Sequence, residues 1–97
     1  MRYANPTERQ AFIAGLRALA DFLESSPDVP APPYTDVLVF PPGISDTGKR
    51  QEIDVIAARI GSGTEISPYR NHYMTSRQFG PVEYRAVAIP ADENKEQ

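Results

Sequence analysis

The chain has no cysteine, which excludes disulfides, thiolate nucleophiles and cysteine-built metal sites. Histidine is nearly missing too: His72 stands alone, and a single imidazole without thiolate partners cannot build a structural zinc site. No apolar run approaches the ~18 residues that span a bilayer. The first residues, Met1 to Glu8, contain no apolar signal core. The expectation is a soluble, cytoplasmic protein with no membrane partner, no cofactor and no metal. Charge of either sign is also modest, ten Lys and Arg against thirteen Asp and Glu, a net of −3. An acidic balance argues against a dedicated nucleic-acid binder, whose domains carry a basic excess. It is too small and too mixed for an acidic mimic of DNA.

Proline, by contrast, is plentiful at ten residues in 97. A chain of this length makes one domain and buries only about 60–65% of the surface its unfolded form exposes. It has little room for a deep pocket. Residues 1–90 are read as a single domain. Residues 25–35, which hold Pro27, Pro30, Pro32 and Pro33, are read as a stiff, extended strap inside it. Residues 91–97 are read as a disordered polar tail.

Thr7 and Gln10 have capping-box spacing, and Phe12, Leu16, Leu19 and Leu23 then fall in a narrow arc at 100° per residue. Ile13 and Ala20 widen that arc on one side, and Ala11, Gly15 and Phe22 on the other. The pattern predicts a helix over Glu8–Ser25 whose stripe belongs to the core. Asp36–Phe40 is a continuous apolar run that suits a strand buried on both faces. A second helix follows over Thr47–Ile60, with the stripe Ile53, Ile56, Ala57 and Ile60, and Gly61 at the left-handed cap position. Thr64–Ser67 reads as a short strand. His72–Pro90 reads as a β-hairpin broken at Gly80-Pro81. The fold class is therefore α+β: two layers, a three- to four-stranded mixed or antiparallel sheet with two helices on it, in the order α-β-α-β-β-β.

Gly43-Ile-Ser-Asp-Thr-Gly48-Lys49 has the spacing of a phosphate-binding loop between a strand and a helix. Arg50 follows where a Ser or Thr hydroxyl would hold Mg²⁺, and Asp46 puts a carboxylate into the anion cradle. A helix cap from Ser45, Asp46 or Thr47 accounts for the same residues. Asp46, Glu52 and Asp54 near the start of this helix complement its dipole, with no need for acid–base chemistry. Nothing resembles a nucleophile elbow that would recruit His72.

The hairpin is the candidate binding surface. From Tyr69 to Pro90 there are three arginines and one acid, Glu83, a local +2 that leaves −5 for the remainder. A two-residue turn pairs Phe79 with Val82, Arg77 with Tyr84, Thr75 with Ala86 and Tyr73 with Ala88. The other face then carries Gln78/Glu83, Ser76/Arg85, Met74/Val87 and His72/Ile89. The candidate residues are Arg70, His72, Tyr73, Arg77, Tyr84 and Arg85. An aromatic face holding an Arg suits single-stranded nucleic acid, but it equally suits a sheet face packed under helices with Arg77 at its rim. The core reading is preferred.

Phe12-Ile-Ala-Gly-Leu-Arg-Ala-Leu-Ala-Asp-Phe-Leu-Glu24 and Arg77-Gln-Phe-Gly-Pro-Val-Glu-Tyr-Arg-Ala-Val-Ala-Ile-Pro90 resemble small uncharacterised actinobacterial proteins associated with phages, plasmids and integrated mobile elements. The resemblance implies a setting. It implies no catalytic residue, no activity and no residue role. The expectation is a non-enzymatic accessory or regulatory protein acting by protein–protein interaction, with a homodimer as one form. The alternative is a weak nucleic-acid-binding module using the Arg/Tyr hairpin.

Overall fold

The structure, a computed structural model, describes residues 2–91. Residues 92–97, most of the expected disordered tail, lie outside the described residues. The described residues form two compact units. One comprises Arg2–Tyr3 and Tyr34–Ala91, the other Ala4–Pro33.

The second unit is a helix and the Pro-rich segment after it. Helix α1 spans Pro6–Ser25. Its N-cap is Asn5, not Thr7. The Asn5 side chain accepts from the Glu8 amide at 2.8 Å, and the Glu8 carboxylate accepts from the Asn5 amide at 3.0 Å. Asn5–Glu8 repeats the three-residue spacing of the expected box two positions earlier. It also puts Pro6 in the first turn, where a missing N–H costs nothing. The larger correction concerns burial. None of the twenty residues of α1 is buried, so a truncation such as Leu19→Ala does not carry the cost of a core cavity. Periodicity reports that one face is apolar; it does not report what covers that face.

The first unit carries the sheet and the second helix. Strands β1 (Thr35–Val39), β2 (Glu65–Ile66), β3 (Tyr73–Phe79) and β4 (Val82–Ala88) lie in the order β1-β4-β3-β2. β1 runs parallel to β4, and the other pairs are antiparallel. With helix α2 (Asp46–Ile60) the element order is α-β-α-β-β-β, a mixed four-stranded α+β arrangement as the sequence implies. β1 is an edge strand, and Leu38 is 46% exposed, so the expected burial on both faces does not occur. A continuous apolar run fixes the strand but not its place in the sheet. Pro33 before β1 and Pro41 after it limit further pairing at this edge.

The hairpin has the expected register from Phe79↔Val82 through Tyr73↔Ala88. Gly80 takes φ 63°, the left-handed value that the first central position of a II′-type turn requires. The amide of Thr35 donates to the carbonyl of Pro81 at 3.1 Å and ties the start of β1 to this turn.

Helix α2 starts where Ser45 Oγ accepts from the Gly48 amide at 3.0 Å. It ends at Gly61, whose φ of 70° brings its amide back to the last-turn carbonyls. Ile53 is fully buried against Ala86 and Ala88, with Val39, Ile56, Tyr73 and Tyr84 around them. Thr75 is the one buried polar side chain among the described residues, and its hydroxyl donates to the Gly63 carbonyl at 2.8 Å. α2 thus covers the Tyr73/Thr75/Ala86/Ala88 end of the aromatic face. Phe79 and Val82 at the turn end remain largely exposed.

Candidate interaction surface

The six hairpin candidates do not form one surface. Tyr73, Arg77 and Tyr84 share the face that α2 partly covers, because they occupy one side of the β3–β4 register. The Tyr73 hydroxyl donates to Asp54 Oδ1 at 2.6 Å and lies 3.0 Å from Thr64 Oγ1. The Arg50 guanidinium stands over its ring at 5.2 Å from the centroid. Tyr73 is therefore a fixed part of the helix–sheet contact, and its ring is not open for a base to stack on. Arg77 lies over the Phe79 ring, also at 5.2 Å, at the uncovered rim.

Arg85 points to the opposite face. Its Nη2 donates to Glu83 Oε1 at 2.8 Å, and its Nη1 approaches Met74 Sδ at 3.9 Å. Hydrogen bonds from Arg85 and then Ser76 hold the Glu83 carboxyl below the usual carboxylate range. The same bond to Glu83 raises the Arg85 guanidinium above its ordinary value. That arginine is committed to Glu83, so the local +2 rests on Arg70 and Arg77. His72 is half-buried just before β3, and its carbonyl accepts from the Ser67 amide at 2.8 Å. Arg70 is exposed in the preceding turn. The sequence brought these residues together by number; strand alternation separates them.

The acids near α2 have individual partners. Asp46 Oδ1 accepts from the Ala91 amide at 2.8 Å. Glu52 Oε1 accepts from the Tyr3 hydroxyl at 3.1 Å. Burial, and then the bond to Glu52, pushes the Tyr3 phenol up to about 12. Glu52 and Asp54 thus serve as tyrosine anchors, a role beyond the dipole effect expected for them. Among the described residues no group of three metal-ligating side chains is gathered, and no helix is long and apolar enough to cross a membrane.

The Gly43–Lys49 loop does not present a cradle. Lys49 Nζ donates to the Ile89 carbonyl at 3.3 Å, so the cation faces the chain after β4. Ser45, the observed cap, uses its hydroxyl on the helix. The open depression beside this loop, about 410 Å³, is lined by Phe40–Gly43, Lys49, Val87 and Ile89.

The most conspicuous exposed apolar surface among the described residues is α1. Phe12, Leu16, Leu19 and Phe22 are 51%, 43%, 53% and 51% exposed, while Ile13 and Leu23 beside them are half-buried. Monomeric proteins rarely leave so continuous an apolar patch to water, and when they do it marks a contact site. Sequence reasoning placed these residues in the core and so missed them as a site. The signal was present in the width of the stripe, which exceeds what one sheet face requires of a surface helix. No protein-family model matches the chain, and neither a curated protein nor a solved structure matches it significantly.

Proposed function

We propose that this protein is a non-enzymatic accessory or regulatory protein that acts by protein–protein contact, and that the apolar face of α1 is the contacting surface. The carrying observation is the exposure of Phe12, Leu16, Leu19 and Phe22 along one side of a capped helix. Fully burying a large apolar side chain from water is worth about 1.5–3 kcal/mol; these four are about half exposed, so covering them gains roughly half of that each. The setting implied by the resemblance, a mobile genetic element, fits a small accessory protein.

The test is a photo-crosslinking amino acid placed at Leu16, on the stripe, and at Arg17, on the polar face. In expressing cells, adducts from position 16 and not from position 17 are expected. Equal adducts at both positions, or none at 16, would overturn the reading. Nucleic-acid binding is the rival. Arg85 is paired with Glu83 and Tyr73 is tied to Asp54, so at most a few phosphates could be neutralised, with a single-strand salt slope of about −0.7 for each. Fluorescence anisotropy at physiological salt should show no tight binding to single- or double-stranded oligonucleotides. Submicromolar affinity lost in Arg77→Ala would favour the rival.

A further inference from the structure

The spacing Phe12–Leu16–Leu19–Leu23 is four, three, four, which reads the same in either direction. We propose that the occupant of this face is a second copy of the chain, with the two α1 helices pairing antiparallel about a two-fold axis. This rests on the contact reading above and names its partner. In such a pair each member of the stripe meets another member. Phe12 packs against the partner's Leu23, and Leu16 against the partner's Leu19, in alternating layers of the kind found in two-helix seams. A two-fold contact must be self-complementary in this way.

The residues flanking the seam match as well. On one side Ile13 falls opposite the partner's Ala20; on the other Phe22 falls opposite the partner's Gly15. Each flank sets a large side chain against a small one, so the helices approach without a clash. The space beside Gly15 is open, with no atom within 4 Å of a Cβ placed there, and a phenylalanine ring from the partner has room to enter it.

Charge also favours the antiparallel sense. The last turn of α1 has no basic residue, although Asp21 and Glu24 lie near the negative end of the helix dipole. Antiparallel pairing brings Arg9, one turn before Phe12, beside the partner's last turn and supplies the missing cation. Parallel pairing would stack Arg9 on Arg9 and align the dipoles. The seam is short. From residue 12 to 23 it spans roughly 16 Å at 1.5 Å per residue. A seam of that length is small beside stable interfaces, which bury roughly 1,200–2,000 Å². The dimer should therefore form and dissociate with concentration.

Sedimentation equilibrium over a dilution series tests this. The wild-type mass should rise from 10.7 kDa toward twice that value across the series. Gly15→Leu should stay monomeric at every concentration while its helix signal in circular dichroism is kept or strengthened, because Leu is the better helix former. That variant separates loss of pairing from loss of fold. Orientation is read by cross-linking, since the chain has no cysteine of its own. Mixed Phe12→Cys and Leu23→Cys proteins should form a disulfide under mild oxidation, and neither should do so alone.

A wild type that is monomeric throughout, a Gly15→Leu protein that still dimerises, or disulfides in the single variants but not in the mixture would each overturn the proposal. If the wild type is monomeric but the Leu16 crosslinker still captures a different protein, self-pairing fails and the contact reading stands. If neither is seen, both fail.

Discussion

Replacing Ile53 by Ala should be among the most damaging single substitutions in the sheet-bearing unit. Ile53 has no solvent exposure and meets Ala86 and Ala88 directly. The change removes three carbons, a transfer loss of about 2.4 kcal/mol at about 0.8 kcal/mol each. A cavity term adds to this, and it should be near full size here, because the alanines have no length with which to fill the hole. The expected cost is about 3–4 kcal/mol, a large part of the stability a small domain possesses. With a urea slope of about 1–3 kcal/mol/M, the midpoint should fall by at least about 1 M. Unfolding is followed by far-ultraviolet circular dichroism at protein concentrations low enough to avoid association, which would otherwise add stability by mass action. Leu19→Ala serves as the contrast. At 53% exposure it should cost less than about 1 kcal/mol under the same conditions. Equal losses in the two variants, or a loss below about 1 kcal/mol for Ile53→Ala, would refute this placement of the core.

Asn5→Ala removes the cap of α1 and should cost about 0.5–2 kcal/mol of helix stability, visible as reduced ellipticity at 222 nm; unchanged ellipticity would argue against the Asn5–Glu8 box. The Tyr3 phenol is raised from 10.0 to about 12 in the folded chain. Folding therefore favours its protonated form, and this contribution is complete below pH 10 and lost as pH rises to about 12. Urea midpoints should decline over that window, and Tyr3→Phe should decline less; identical profiles would exclude the bond to Glu52 as a cause. Isothermal titration of Mg-ATP or Mg-GTP should show no binding, and Lys49→Ala should keep the fold, because Lys49 faces the Ile89 carbonyl. Saturable binding lost in Lys49→Ala would reinstate the phosphate-loop reading.

What the sequence made legible was whatever short-range chemistry decides. The Gly80-Pro81 turn admits two residues with a positive φ first, so it fixes every pair of the β3–β4 ladder at once. Gly61 ends α2 because an L side chain is strained at its φ. The apolar run of β1 also identified a strand. Its position at the sheet edge was not legible, since the pairing of β1 with β4 joins residues far apart in the chain. The candidate site failed for a related reason. Arg77 and Arg85 lie on opposite faces by strand alternation, and the partners of Arg85, Tyr73 and Tyr3 come through tertiary contact. The stripe of α1 was read correctly as a stripe and wrongly as core, because an amphipathic pattern is the same whether its cover comes from within the chain or from outside it.

On the proposal above, the half-exposed apolar stripe of α1 becomes covered when a second copy docks on it. Hydrogen–deuterium exchange at low and at high protein concentration addresses it directly. Helices draw most of their stability from packing of their apolar face, so the amides of residues 10–25 should exchange quickly at dilution and slow markedly as concentration rises. The amides of α2 and of β3 and β4 should be unaffected. Slow exchange of α1 already at dilution, at the level of α2 and independent of concentration, would contradict the account.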